Sequence, residues 1–98
     1  MPVHVFLEHP VPHYERWKAA FDSDPLGREA AGVRAYRILR PLGDPGYVAV
    51  DLEFDDAVTA TAFHDALLRL WETPRARSVM GPGRMQVAEE AESHAFPR

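Results

Sequence analysis

Alternation of apolar and polar residues along the chain predicts four β-strands. The clearest alternation lies between Tyr47 and Phe54, where every second residue from Val48 onward is apolar. Further strands are predicted from Val33 to Arg40 and from Arg84 to Glu90. The first strand opens the chain, and its expected buried positions are Val3, Val5 and Leu7.

Two stretches have the spacing of amphipathic helices instead. Tyr14, Trp17 and Phe21 fall on one face of a helix that begins after the prolines of residues 10 and 12. A second helix is predicted from about Ala57 to Trp71, with Asp55 or Asp56 as its N-cap and Thr73-Pro74 as its stop. The apolar stripe expected on this second helix comprises Val58, Ala62, Phe63, Ala66, Leu67 and Leu70.

The resulting order of elements is β-α-β-β-α-β. It predicts an α+β protein of the ferredoxin-like type, with a four-stranded antiparallel sheet and both helices on one face. Right-handed crossovers place the first and third strands in the middle of the sheet. We expect a single domain over residues 1–98, with a core at about 3–90 and a frayed tail at 91–98.

Helices on one face leave the other face of the sheet uncovered. Mixed aromatic and acidic side chains on that open face favour a homodimer in which two sheets face each other. The residues expected on this face are His4, Phe6, Glu8, Ala49, Asp51 and Glu53, with Tyr47 at the edge.

Composition excludes several classes of function. The formal net charge of −4 argues against nonspecific binding to nucleic acids or anionic membranes, which requires a basic surface. Without cysteine there can be no disulfide, zinc-thiolate site or cysteine nucleophile. No apolar run approaches the ~18 residues of a transmembrane helix, and we expect a cytoplasmic protein.

Two histidines at the end of the first strand are candidates for chemistry. His9 and His13 have the H-x-x-x-H spacing of a helical metal site, but Pro10 and Pro12 prevent a regular helix between them. No third ligand follows at a suitable spacing, so we predict no metal. His9 remains a candidate general base, because imidazole titrates near neutral pH; the alternative is a structural histidine.

Aromatic residues are expected to meet between the helices and the sheet. They form either a small-molecule cleft or a filled core. Tyr36 and His64 join His9 as candidate acid or base groups, although His64 lies beside the apolar stripe and is alternatively an exposed helical histidine. The candidate ligand-binding aromatics are Trp17, Phe21, Phe54 and Phe63.

Arg37 is a candidate for binding the carboxylate or enolate of a ligand. The register that best separates polar from apolar residues places it opposite Asp51. The alternative role for Arg37 is therefore a cross-strand ion pair on the open face.

Several runs of the sequence carry a resemblance to a known family. They are EHPVPHYERWKAAFD at 8–22, GVRAYRILRP at 32–41, Asp44-Pro45 and DLEFD at 51–55. Over residues 3–90 the chain resembles the dimeric α+β barrel superfamily, and within it a small bacterial family that goes by the name cyclase. The superfamily includes cofactor-independent monooxygenases, haem-degrading enzymes, dehydratases and proteins that only bind ligands, and fold alone does not choose among them.

Three functional hypotheses follow. The first is a homodimer that accommodates a small apolar or aromatic molecule and requires no cofactor. The second, which the resemblance implies, is a cofactor-independent monooxygenase or cyclase acting on an aromatic polyketide-like compound. The third is a non-catalytic assembly or sensor subunit.

Overall fold

A computed structural model describes all 98 residues of the protein. The predicted order β-α-β-β-α-β is confirmed, with one additional short helix before the last strand. The elements are β1 (Val3–Pro10), α1 (Tyr14–Asp22), β2 (Val33–Leu39), β3 (Tyr47–Phe54), α2 (Ala57–Trp71), α3 (Pro74–Arg77) and β4 (Arg84–Glu89).

The four strands form one antiparallel sheet in the order β2-β3-β1-β4. The first and third strands are therefore central, as the crossover rule predicts. Arg37 pairs with Asp51, which is the register expected from the separation of apolar and polar residues. This arrangement is the ferredoxin-like fold.

The core lies between the sheet and the helices. Alternate residues of the two central strands are buried, and the side chains of Val5, Val50 and Phe54 have no solvent exposure. Val11, the residue after β1, is also buried. Its N–H donates to the carbonyl of Gly46 at 2.8 Å, which holds the chain after β1 against the β2–β3 loop. Val11 thus anchors the corner to the core, while Pro10, Pro12 and His13 stay exposed.

The second helix begins at the predicted cap, but its buried stripe differs from the prediction. The carboxylate of Asp56 accepts from the Thr59 N–H at 2.8 Å and so satisfies a free donor of the first turn. The buried residues are Ala60 and Phe63, whereas Val58 is 80% exposed. The predicted stripe was therefore wrong at Val58 and Ala62. Small apolar residues occur on several sides of the first turns, so their spacing does not determine which side is buried.

The additional helix α3 follows α2 after two residues. Thr73 is its N-cap and Pro74 its first residue, and the Thr73 hydroxyl accepts from the Ala76 N–H at 3.3 Å. The same hydroxyl donates to the Leu70 carbonyl at 2.7 Å, which joins the two helices. The sharp turn brings the chain after α2 back over the end of the sheet, where it closes one side of a cavity.

The opposite face of the sheet carries no helix. The molecule is only 20 Å thick in its shortest dimension, because it consists of one layer of helices and one of strands. The polar residues predicted for this open face are only partly buried, and most of them pair, as in the hydrogen bond from Tyr47 to Glu8. None of the helices is long and apolar enough to cross a membrane.

Candidate functional site

A cavity of about 320 Å³ lies between the sheet and the helices. Its size is at the lower end of the ~300–1,000 Å³ typical of small-molecule sites. Hydrophobic residues make up 14 of its 21 lining residues, so a bound molecule would be held mainly by apolar contacts. The sheet contributes Leu7, His9, Val50 and Leu52, and the two long helices contribute Trp17, Ala20, Phe21, Phe63, Leu67, Leu70 and Trp71.

His9 is the buried polar side chain of this cavity. Its position on β1 follows the inward alternation of Val5 and Leu7, and only 1% of the residue is exposed. The ring atom Nδ1 lies 3.0 Å from the carbonyl oxygen of Pro10. Because a carbonyl can only accept, Nδ1 carries the proton, and in the neutral ring Nε2 is left with a lone pair. No protein group hydrogen-bonds to Nε2, which is therefore available to a ligand that donates.

Burial favours the neutral form of this imidazole. It lowers the pKa of His9 below the ordinary 6.5, although the hydrogen bond to the Pro10 carbonyl opposes the shift. No carboxylate lies against the ring to stabilise the charged form. At neutral pH His9 is consequently an uncharged hydrogen-bond acceptor and a potential base.

Two tryptophans hold the His9 ring in place. Its centroid lies 5.6 Å from that of Trp17 and 5.7 Å from that of Trp71, both in edge-on arrangements. Gly83 packs against the base of the side chain, since a Cβ built on it would lie 2.8 Å from the His9 Cβ and 3.0 Å from the Trp71 ring. The imidazole has little room to rotate, so the direction of Nε2 is fixed by packing.

Cationic side chains lie at the rim of the cavity. Arg28 is already engaged: it donates to the Phe21 carbonyl at 2.8 Å and stacks over the Phe21 ring at 3.9 Å. Arg75, on α3, also lines the cavity and has no acidic partner. Asp24 also lines the cavity and lies 3.7 Å from Arg28, so the unpaired charge of the rim is that of Arg75.

The cavity brings together four of the eight predicted site residues. His9, Trp17, Phe21 and Phe63 all line it. Phe54 instead packs beneath Phe63 in the core, with ring centroids 5.5 Å apart.

The remaining three predicted residues also lie outside the cavity. Tyr36 is 44% exposed, and its ring packs edge-on against that of Phe21 with centroids 5.1 Å apart. His64 is half-buried on α2 and pairs with the neighbouring Asp65 at 3.0 Å. Arg37 is on the open face, where it forms the cross-strand ion pair with Asp51 at 3.1 Å.

The geometry also separates the two histidines of the H-x-x-x-H spacing. His13 is exposed at the N-terminus of α1, whereas His9 points into the core. No group of three or more potential ligand side chains is arranged to hold a metal ion.

Sequence reasoning missed Trp71 and Gly83 as parts of the site. Trp71 was predicted only as the end of α2. The predicted strand order places β4 antiparallel to β1 but does not give their register. In the structure Arg84 pairs with Glu8, so the preceding glycine lies beside His9. A glycine at that point permits close approach of the backbone.

Among the comparisons with known proteins, only solved structures are similar to this chain, and they show its fold. No family model matches the sequence, and no curated protein matches it either. The structure resembles the cofactor-independent oxygenase SnoaB from Streptomyces nogalater, with a TM-score of 0.72, 12% identity and coverage of 94% of this chain and 95% of that one.

Two further solved structures are similar. A dimeric ferredoxin-like protein from an uncultured marine organism has a TM-score of 0.66 at 8% identity, with 98% of this chain and 93% of that chain covered. The haem degrader MhuD from Mycobacterium tuberculosis has a TM-score of 0.69 at 15% identity, with 95% of this chain and 99% of that chain covered. The protein therefore has the ferredoxin-like fold of these solved structures, as the resemblance implied. Membership of the narrower cyclase family stays a prediction.

Proposed function

We propose that the protein binds a small, largely apolar or aromatic molecule in the cavity beside His9. The observation that carries this proposal is His9 Nε2, an acceptor without a protein partner on a buried residue, in a mainly apolar cavity of about 320 Å³. Apolar walls would supply most of the affinity, and the acceptor would orient the ligand through one hydroxyl or N–H group. Trp17, Phe21 and Phe63 are the predicted binding residues on which the proposal rests.

The two tryptophans give a direct readout of occupancy. Both tryptophans of the chain, Trp17 and Trp71, line the cavity, so their fluorescence should change when a molecule enters. We expect saturable quenching or enhancement on titration with 4-tert-butylphenol, an apolar body that carries one donor.

A matched pair of variants locates the binding. Ala20→Leu adds bulk to a residue that lines the cavity, whereas Ala19→Leu adds the same bulk to an exposed neighbour on α1. Ala20→Leu should weaken binding of 4-tert-butylphenol by about tenfold or more, and Ala19→Leu should leave it unchanged. Equal binding by both variants would refute the proposed location.

We further propose that the protein forms a homodimer through the open face of the sheet. The support is the open face itself, which carries paired polar groups around Phe6 and is not covered by any element of its own chain. One of the fold neighbours is itself described as dimeric. Native mass spectrometry of freshly purified protein should give the mass of two chains.

The same spectrum distinguishes the functional hypotheses. A small-molecule adduct on the dimer supports binding in the cavity, while a bare dimer that also fails to bind 4-tert-butylphenol favours the assembly or sensor subunit. A monomer at micromolar concentration would contradict the proposed dimer. The cytoplasmic location predicted from the sequence stays a prediction.

A cofactor-independent oxygenase or cyclase acting on an aromatic polyketide-like compound is the second candidate function. The favouring observation is that neutral His9 presents an unprotonated Nε2 in an apolar cavity. It would take the proton of a phenolic O–H to give an imidazolium and a phenolate. A ring carbon of the phenolate would then form a C–O bond to dioxygen, and the resulting peroxide would take the proton from the imidazolium. Cleavage of the O–O bond and loss of the C–H proton would release water and leave a quinone, so that the substrate supplies all the electrons that reduce dioxygen. Tyr36 and His64 are weaker candidates for acid or base groups, since both lie outside the cavity.

Oxygen uptake tests the catalytic hypothesis. A panel of hydroxylated aromatic compounds should be consumed by the native protein and at least ~100-fold more slowly by His9→Ala, the usual scale for loss of a general base. His64→Ala is the matched control, since it removes a histidine outside the cavity. Equal uptake by native protein and His9→Ala would exclude His9 as the base.

A further inference from the structure

A histidine on the open face is held between two carboxylates. His4 projects from β1, and its Nδ1 lies 2.7 Å from Asp51 Oδ1 while its Nε2 lies 3.1 Å from Glu90 Oε1. Asp51 is on the neighbouring β3, and Glu90 follows β4 on the other side. The ring therefore bridges three strands on the face that carries no helix.

This geometry requires the charged form of the ring. An ionised carboxylate only accepts hydrogen bonds, so both ring nitrogens must donate, and only the imidazolium has two N–H groups. Burial lowers the pKa of His4, but the hydrogen bonds and attraction of Asp51 and Glu90 outweigh it and raise the pKa above 6.5.

The other charges on this face are mainly negative. Asp51 is shared with Arg37 of β2 at 3.1 Å, and Glu53 is the β3 residue directly opposite His4. At the far end of β1, Glu8 accepts from the Tyr47 hydroxyl at 2.8 Å and lies 3.4 Å from Arg84 of β4. This face therefore carries four negative and three positive charges. The negative ones are Glu8, Asp51, Glu53 and Glu90, and the positive ones are Arg37, Arg84 and protonated His4.

We propose that His4 is a proton-dependent clamp of the homodimer, so that a second copy of the chain docks on the open face tightly only while this imidazole is charged. The inference rests on the homodimer proposed above. The charge pattern favours a second copy as the occupant, because three of the four carboxylates lie on the central strands and both arginines lie on the edge strands β2 and β4. A twofold-related sheet can set arginine edges against acidic centres.

Deprotonation of His4 would weaken the dimer interface for an electrostatic reason. Docking removes water from the network, and unbalanced charge is costly where water is excluded. Neutral His4 would leave one more uncompensated carboxylate in each subunit than the arginines of the two subunits can balance. Because linkage is reciprocal, a dimer that needs the proton must bind it more tightly than the monomer does.

The fold itself is expected to survive the loss of the proton. The Glu90 N–H donates to the Pro2 carbonyl at 2.9 Å, so the backbone pairing of these chain segments does not depend on the His4 side chain. The switch therefore concerns association between chains, and oligomeric state is its proper readout.

Sedimentation equilibrium between about pH 6.5 and pH 9 tests the clamp. The dimer dissociation constant of the native protein should rise roughly tenfold or more across this range. His4→Gln should be a weaker dimer whose dissociation constant is nearly constant with pH, while His94→Gln, changed in the tail, should behave like the native protein. Tyr47, whose hydrogen bond to Glu8 raises its pKa above 10.0, does not titrate in this window.

Three outcomes would overturn the inference. A native dimer with constant affinity, or a His4→Gln dimer with the native pH dependence, would refute the clamp and leave the homodimer intact. A monomer at every pH would refute both. A second measurement avoids mutation: the NMR titration midpoint of the His4 ring should rise with protein concentration, and a midpoint independent of concentration would also refute the clamp.

Discussion

Gly83 lies so close to His9 that a Cβ on the glycine would be 2.8 Å from the Cβ of the histidine. That distance is shorter than any ordinary contact between two carbon atoms. The start of β4 is therefore pressed against the end of β1, and the missing side chain creates the space in which His9 and Trp71 pack. The position of the proposed ligand acceptor depends on a residue that has no side chain.

Gly83→Ala should consequently destabilise the protein and disturb the cavity. Forcing a methyl group into this contact should lower the free energy of unfolding by about 1–3 kcal/mol, as overpacking does elsewhere. Chemical denaturation measures the change. Gly46→Ala is the matched control, because its Cβ would meet its nearest atoms at 3.6 Å, an ordinary contact distance. A Gly83→Ala protein as stable as Gly46→Ala would show that the end of β1 is not tightly packed.

Much of the fold could be predicted from the sequence, because the strands have two distinct faces. Alternation along Val3–Pro10 and Tyr47–Phe54 fixes which side chains point inward, and the strand order then follows from crossover handedness. The buried side of α2 could not be predicted in the same way. Its first turns hold alanine, valine and threonine without a clear polar side, and the side that packs is the one on which Phe63 meets Phe54, with ring centroids 5.5 Å apart.

The cavity was predictable only in part. His9, Trp17, Phe21 and Phe63 follow from inward positions on elements that had been correctly assigned. Whether large side chains leave a space between them depends on how their volumes interlock in three dimensions. The spacing of residues along the chain does not specify these volumes, so Tyr36 and His64 were expected at a cavity that neither of them lines.

The cap of α2 gives a stability prediction with a neighbouring control. Asp56→Ala removes the carboxylate that accepts from Thr59 and should cost about 1 kcal/mol of unfolding free energy. Asp55→Ala removes only an exposed contact with Arg34 at 3.6 Å and should cost less than ~0.5 kcal/mol. Thermal or chemical denaturation of both variants measures the difference. Equal losses would mean that Asp56 does not act as the cap.

Burial of neutral His9 should make stability depend on pH. Its pKa is lowered in the folded protein and returns to about 6.5 on unfolding, so below that pH the unfolded chain binds the extra proton. Stability should therefore fall as the pH drops from about 7 towards 5, by at most ~1.4 kcal/mol per pH unit from this group.

The contribution of His9 can be isolated by substitution. His9→Leu removes the titrating ring, and the Pro10 carbonyl keeps a partner because it also accepts from the Gly81 N–H at 3.0 Å. The difference in unfolding free energy between the native protein and His9→Leu should shift in favour of the native protein as the pH rises through 6.5. A difference that stays constant with pH would mean that His9 has the same pKa in the folded and the unfolded chain.

The role of His9 as the single polar contact for a ligand is tested most directly by calorimetric titration with a matched pair of probes. These are 4-tert-butylphenol and tert-butylbenzene, which differ only in the hydroxyl, and each is titrated into the native protein and into His9→Leu. A hydrogen bond to His9 Nε2 contributes about 0.5–1.5 kcal/mol, so the native preference for the phenol should be roughly twofold to tenfold larger than that of His9→Leu. Equal preference in the two proteins, or no binding of either probe to the native protein, would contradict the proposed site.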